Sequence, residues 1–339
     1  MRLDSILPVG KLPPALLAEI LAGAPSFDDR VRLGPGIGLD CAVVDAGASY
    51  WVMKAEPITF ATDQIGWYAV QVAGNDIATT GAVPRFILLS LLLPEGRTDE
   101  ALVRAIGDQI FSACTQQKIS VLGGHTEVTH GINRPLLAVT MIGEVSRDRL
   151  ITPQGARPGD ILLLTKGVPV EATALLAREF PGRLRNHLTP QEIATAADFL
   201  HHPGISIARD AQIAVQAGKV TAMHDPTEGG LSAALWEMAQ ASGLDILFEP
   251  DKVRVPALAA RICGVFGLDP FATIASGALL AAVDPQDADR VTAALTENSI
   301  PVSRIGVFRE GRGKVYAMPA GRPQLWPYPE RDEIGKVYE

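Results

Sequence analysis

Four short stretches hold most of the residues able to do chemistry. The first centres on Asp76. From Asp63 the spacing predicts a helix in which Ile65, Ala69 and Val72 share one narrow stripe, and Asp76 falls on that stripe a turn further on. A carboxylate on a core-facing stripe is costly unless it is paired or holds a cation. The other reading is an exposed helix end close to Gly81. The second stretch, Gly34-Pro-Gly-Ile-Gly-Leu-Asp40, is a glycine-rich loop ending in a carboxylate before an apolar strand. Amides such as those of Gly36 and Gly38 could approach phosphate oxygens, and Asp40 could hold Mg²⁺. The loop is neither GxGxxG nor GxxxxGK[ST], so a plain turn stays open. In the third, Gly123-Gly-His-Thr-Glu127 follows a strand, Ile119–Leu122. Two glycines there allow a sharp turn and close approach of backbone to a ligand, or simply a hairpin with a surface His125. In the fourth, Asp225-Pro-Thr-Glu228 reads as a capping box for the next helix. The amides of Gly229 and Gly230 would then offer an anion a helix N-terminus, and Asp225 and Glu228 could share an ion with the first half.

These residues must be positioned by short alternating elements. Helices are expected at Pro14–Ala22, from an N-cap at Thr62 to about Thr80, and at Asp99–Gln117. Strands are expected at Cys41–Val44, Tyr50–Met53, Phe86–Leu93, Ile119–Leu122 and Leu136–Val145, with Phe86–Leu93 apolar enough to be buried on both faces. The Pro- and Gly-rich stretch 151–160 is the best boundary. Beyond it strands at Ile161–Thr165, Val220–Met223, Asp245–Phe248, Leu279–Val283 and Val302–Phe308 alternate with helices at Val170–Glu179, Pro190–His201, Ile205–Ala217, Glu228–Ala241 and Gln286–Asn298. Two α/β layered domains follow, residues 1–150 and 151–318, with an extended tail at 319–339.

Composition sets outer limits. The 339 residues carry 30 basic and 38 acidic side chains, a net charge of −8 that argues against nucleic acid or an anionic membrane as partner. At 47% hydrophobic and 20% charged, a sizeable core is expected and disorder is excluded as a description of the whole chain. Cys41, Cys114 and Cys263 are widely spaced, forming neither a zinc pattern nor a disulfide framework. The first residues show no signal-type apolar core, and no apolar run is long enough to span a bilayer, so a cytoplasmic protein is expected.

Taken in order, six segments resemble the superfamily of aminoimidazole ribonucleotide synthetase (PurM), thiamine-monophosphate kinase, selenophosphate synthetase and the hydrogenase maturation protein HypE. They are Gly38-Leu-Asp-Cys-Ala-Val43, Lys54-Ala-Glu-Pro-Ile-Thr59, Gly74-Asn-Asp-Ile-Ala78 with Gly81-Ala-Val-Pro84, Gly123-Gly-His-Thr-Glu127, Met223-His-Asp-Pro-Thr-Glu-Gly-Gly230, and Gly267-Leu-Asp-Pro270 with Ser276-Gly277. The DxTxGG pattern and the GLDP are most similar to HypE-like proteins. The resemblance implies a PurM-like two-domain fold, a homodimer whose N-terminal sheets join into a β-barrel, and Mg·ATP in the cleft. It assigns Mg²⁺ to Asp40, Glu56, Asp76 and Asp225, with Glu56 standing where relatives have Asp. It places Gly36, Gly38, Asp40, Asn75, Gly123, Gly124, Thr126, Asp225, Thr227 and Gly229 around the nucleotide, and gives catalytic roles to Asp76, His125 and Glu228. The shared chemistry is attack of an oxygen or selenide on a phosphate of ATP.

Two departures stand out. Leu39 replaces the first of a frequent Asp pair, and the last cysteine is Cys263, whereas HypE proteins carry their substrate on a C-terminal Cys. The expectation is therefore an ATP-dependent enzyme acting on an amide-like or other oxygen of a separate small molecule. The rivals are a kinase like thiamine-monophosphate kinase and a non-catalytic ATP-binding partner of a maturation-factor protein.

Overall fold

The computed structural model describes residues 7, 12–36, 38–58, 63–319 and 322–338. The first half runs α1 (Pro14–Leu21), β1 (Val31–Leu33), β2 (Ala42–Asp45), β3 (Ser49–Ile58), α2 (Ile65–Thr79), β4 (Val83–Pro94), α3 (Glu100–Gln117), β5 (Ser120–Thr129) and β6 (Leu136–Ser146). Its strands form one sheet in the order β1-β2-β3-β6-β4-β5. β3 and β6 pair antiparallel from Ser49–Ser146 to Ile58–Leu137. Alternate residues of β6, Leu137, Val139, Met141 and Val145, are buried, the period that a one-sided sheet requires. α2 lies on that side and is buried along its length, Trp67 excepted. The expected Thr62 cap lies outside the described residues.

The opposite face is open, which corrects the reading of Phe86–Leu93 as buried on both sides. Ile87, Leu91 and Leu93 are buried, whereas Phe86 and Leu88 are each 38% exposed. β5 differs from expectation more sharply. The chain does not turn at Gly123; it continues as an edge strand to Thr129, parallel to β4. Gly124 explains why glycine stands there. At φ +154° its missing Cβ would lie 1.8 Å from Leu89 O, so the two strands could not close over any side chain.

The second half contains β7 (Ile161–Thr165), α4 (Val170–Glu179), α5 (Pro181–Leu184), α6 (Pro190–Ala197), α7 (Ala208–Ala217), β8 (Val220–His224), α8 (Gly230–Ser242), β9 (Asp245–Phe248), α9 (Ala257–Phe266), β10 (Leu280–Val283), α10 (Ala288–Glu297), β11 (Val302–Arg309), β12 (Val315–Ala317) and β13 (Gln324–Leu325). The sheet order is β13-β12-β9-β11-β7-β10-β8. Strand–helix alternation here does not give a parallel sheet, because β10 separates β7 from β8 and pairs antiparallel with both. The expected capping box is absent. α8 starts at Gly230 with Gly229 as its N-cap, and no side chain caps it. The tail is not merely extended. β13 pairs with β12, Trp326 meets Phe248 edge-on, and Asp332 accepts a 2.6 Å hydrogen bond from Gly229 N.

The two halves share α2. Its Ala78 belongs to an apolar cluster with Ile207, Ala211 and Met223 of the second half. Asn75 fixes the junction: its Nδ2 donates to Ile205 O and its Oδ1 accepts from Ile207 N, both at 2.8 Å. Asn75 is fully buried. Replacing it with Ala strands a buried carbonyl and a buried amide. Asn75→Ala is expected to destabilise the protein by about 2–4 kcal/mol, read from urea or guanidinium unfolding. A loss below about 1 kcal/mol would contradict this clamp.

Candidate functional site

Lys54 stands at the centre of the acidic cluster. Strand alternation puts Lys54 and Glu56 on one side of β3. Asp40 enters just ahead of β2, the partner of β3, and Asp76 reaches down from α2. Lys54 Nζ lies 3.1 Å from Asp76 Oδ2, 3.2 Å from Glu56 Oε2 and 3.9 Å from Asp40 Oδ1. The second half adds two residues from the end of β8. His224 Nδ1 lies 3.2 Å from Asp40 Oδ2, without hydrogen-bond geometry, and its Nε2 lies 2.6 Å from Glu237 Oε2 on α8. Asp225 is wholly buried, and neither of its carboxylate oxygens has a hydrogen-bond partner.

The electrostatics follow from burial of many charges together. Burial pushes the Asp76 carboxyl well above the ordinary range; Lys54 opposes this, but Asp225, Asp40 and Glu56 reinforce it. Burial likewise raises Asp225 to about 7 against the pull of His224. Burial works against charge on Lys54 and His224, yet their carboxylate neighbours win and hold both well above their usual values. Cys41 Sγ donates to Asp76 O at 3.3 Å, and burial beside Asp76 keeps the thiol well above normal. Cys114 and Cys263 are also buried, which raises them to about 11 and about 12.

Of the sequence-derived candidates, Asp40, Glu56, Asp76 and Asp225 do converge, from both halves. Thr227 and Glu228 line an adjoining pocket with Glu56, Tyr68, Glu171 and Ser276. Gly36 and Gly38 lie in the loop carrying Asp40, and the space a Cβ would take at Gly38 is 3.6 Å from Glu237 O on α8. Other candidates are engaged or placed elsewhere. Both ends of the Asn75 amide serve the domain junction. The amide of Gly229 is taken by Asp332. Gly123, Gly124, His125 and Thr126 lie on the exposed β5 strand, where His125 Nε2 meets Glu127 Oε2 at 3.1 Å. Among the supposed Mg²⁺ ligands, Glu56 and Asp76 have the Lys54 ammonium as their cation.

A divalent ion still has a place beside Lys54. Ligand atoms of Asp40, His224 and Asp225 lie within 4.8 Å of one another. The orphaned Asp225 oxygens are what a cation would satisfy. Sequence reasoning overlooked Lys54, His224, Glu237, Glu171 and Tyr68. The Lys54-Ala-Glu56 alternation and the position of His224 beside Asp225 were the available signals; Glu237, Glu171 and Tyr68 gave none.

The site joins two regions with known counterparts. The N-terminal domain of AIR synthase related proteins matches residues 38–145, and their C-terminal domain matches residues 157–317. The chain belongs to the AIR synthase-related family. Within it, a putative hydrogenase expression/formation protein of Methanocaldococcus jannaschii is 30% identical over 318 residues, 89% of this chain and 90% of that one. The carbamoyl dehydratase HypE of Cupriavidus necator is 28% identical over 320 residues, 89% of this chain and 85% of that one. The solved structure of hydrogenase maturation protein HypE in complex with ATP superposes with a TM-score of 0.70, covering 93% of this chain and 90% of that one at 24% identity. The kinship expected from the motifs is borne out, and the fold is PurM-like.

Glu171, in the adjoining pocket, gives a pH test. Burial raises its carboxyl from 4.5 to about 8, although Ser276 N donates to Oε2 at 3.1 Å. Between those values the folded state holds a proton that the unfolded state has released, so stability falls as pH rises. The span corresponds to at most about 5 kcal/mol. Glu171→Gln is expected to flatten the stability profile between pH 5 and pH 8 and to raise the melting temperature at pH 8. An unchanged slope in thermal melts would rule out a protonated Glu171.

Proposed function

We propose that this protein is a HypE-like, ATP-dependent enzyme that phosphorylates an oxygen of a small acceptor, with an amide-like oxygen favoured. The observation that carries the reading is the convergence of Asp40, Glu56, Asp76 and Asp225, drawn from both halves, around Lys54. Family membership supports it, as do the HypE relative described as a carbamoyl dehydratase and the HypE structure holding ATP. In this reading Lys54 supplies a fixed positive charge facing phosphate oxygens, and its three carboxylates hold it in position. Asp40 and Asp225 hold Mg²⁺, which when bound neutralises charge on the phosphates. In the same reading the pocket lined by Tyr68, Glu171, Thr227, Glu228 and Ser276 receives the acceptor, and Glu228 exchanges a proton with it. The acceptor is a separate molecule, since all three cysteines are buried and none suits a thiol carrier.

We also propose a homodimer built through the first half, in a compartment that leaves thiols reduced, as in the cytoplasm. No helix among the described residues is long and apolar enough to cross a membrane. Val121, Leu122 and Val128 on β5 are 38%, 56% and 57% exposed, beside Phe86 and Leu88. An apolar edge strand of this length is a surface that chains cover by pairing. A second subunit there would also bring His125 and Glu127 toward its neighbour.

Two experiments test these proposals. Calorimetric titration should find ATP bound in Mg²⁺, with Asp225→Asn weakening it about tenfold, or about 1.4 kcal/mol, and having little effect in EDTA. Release of ADP with phosphate, or with a phosphorylated acceptor, separates a dehydrating enzyme from a kinase; binding with neither product would leave only a non-catalytic partner. Light scattering should give twice 36.0 kDa, and the double variant Leu122→Glu, Val128→Lys should give a folded monomer. A wild-type monomer at micromolar concentration would overturn the dimer.

A further inference from the structure

We propose that Asp332 is the positioning residue of the acceptor pocket, its carboxylate tying together the two chain segments that form the pocket walls. The inference rests on the reading of that pocket as the acceptor site. One wall is the stretch ahead of α8, with Thr227 and Glu228; the other follows α9 and contributes Ile274 and Ser276. Away from the pocket the two walls touch directly. Ser232 N donates to Phe271 O at 2.8 Å, and a Cβ at Gly230 would lie 2.6 Å from Thr273 O. Toward the pocket they part, and Asp332 spans the gap.

An ionised carboxylate can accept at both oxygens, and this one does. Its Oδ2 accepts from Gly229 N at 2.6 Å and its Oδ1 from Ile334 N at 2.7 Å. Ile274 N donates to it as well. The bond to Ile334 is an ordinary cap on the short helical turn Glu333–Val337, and a cap needs only one oxygen. The other two bonds reach sideways, one into each pocket wall. Gly229 is the N-cap of α8, so its N–H has no acceptor within the helix. Ile274 lies outside any helix or strand. Burial raises the Asp332 carboxyl to about 6 against these three bonds. It is therefore mostly ionised at neutral pH, and an ionised acceptor makes each bond stronger.

The C-terminal strap that carries Asp332 is itself fixed on both sides of it. Trp326 Nε1 donates to Ser232 Oγ at 3.0 Å, and Trp326 O accepts from Trp236 Nε1 at 3.2 Å. Pro329 rests against Gly229, 3.3 Å from where a Cβ would stand. Beyond Asp332, Glu333 N donates to Ala272 O at 3.0 Å, and Ile334 is fully buried. The ordering entropy of the strap is thus spent on folding rather than on binding. The charge acts across the pocket as well, since Asp332 and Glu228 both add to the burial that keeps a proton on Glu171. With Asp332 loosened, Thr227 and Glu228 drift from Ile274 and Ser276, and small misplacements of such groups cost rate steeply. Lys54, Asp40 and Asp76 belong to the first half and keep their places.

The test reads the two wall amides directly, on the full chain. In protein labelled with ¹⁵N-glycine and ¹⁵N-isoleucine, the Gly229 and Ile274 amides should exchange slowly with solvent, although neither has a partner in a helix or strand. Asp332→Asn leaves one acceptor oxygen in place of two. It should speed exchange at both amides about tenfold, or about 1.4 kcal/mol of local stability, with the amides of β3 unchanged. Mg·ATP affinity by calorimetry should keep its wild-type value. With acetamide as the probe acceptor and ADP release as the readout, KM for acetamide should rise about tenfold while KM for ATP stays the same. Rapid exchange of either amide in the wild type, acceleration at only one of them, or equal acceleration across β3 would each overturn the proposal, as would equal changes in the two KM values. A wild type silent toward acetamide would count against the acceptor reading alone, and the exchange rates would then decide the role of Asp332. Should Asp332→Asn misfold, rapid exchange at Gly229 or Ile274 in the wild type remains decisive against it.

Discussion

The ammonium of Lys54 is what the rest of the site depends on. Three carboxylates approach it within 3.9 Å from three separate elements. Without a cation among them, Asp40, Glu56 and Asp76 would repel one another where water screens them only in part. Burial of ions gives little net stability even when they are paired. What it gives here is placement. Asp76 fixes the rotation of α2 over the sheet, and Asp40 fixes the end of the glycine loop. The same two residues leave Asp225 and His224 facing inward from the other half.

Much of the fold was legible in the sequence, because strongly periodic segments declare themselves. The strands around Ile161–Thr165 and Asp245–Phe248 and the helix at Val170–Glu179 fall where expected. The polar stretch 151–160 does lie between the two sheets. α9 is legible only as an apolar helical stretch around Ile262 and Cys263, without clear ends. The capping-box reading failed because Asp225 is drawn into the site by burial, and α8 begins only after Gly229. At Gly123-Gly124 the local rule favoured a turn, but tertiary packing used the missing side chains to bring β5 against β4. Helix and strand patterns record which face is buried; they do not record which neighbour fills it.

The site was half legible for a similar reason. Asp76 was conspicuous as an acid on an apolar stripe, and it is indeed buried. Its partner was hidden, since a lysine in a strand usually points to solvent. His224 sat in plain view beside Asp225, yet a single histidine says nothing until Glu237 is brought to it by the first turns of α8. Glu171 resembled an ordinary acid in a first helical turn. Only the packing of Tyr68 and Ser276 around it turns it into a buried carboxyl.

Because α2 belongs to the cores of both halves, the described residues offer no free hinge at their middle. A cleft between domains ordinarily opens and shuts by rotation about a short linker. Here such a rotation would tear Asn75 from the backbone of Ile205 and Ile207 and expose Ala78 together with Met223. Traffic to and from the acidic cluster must therefore pass through small displacements at its rim. The loop around Gly38 and the segment Asp225–Gly229, which form no regular structure, are the parts able to yield. Turnover in such a molecule would be timed by loops rather than by domains.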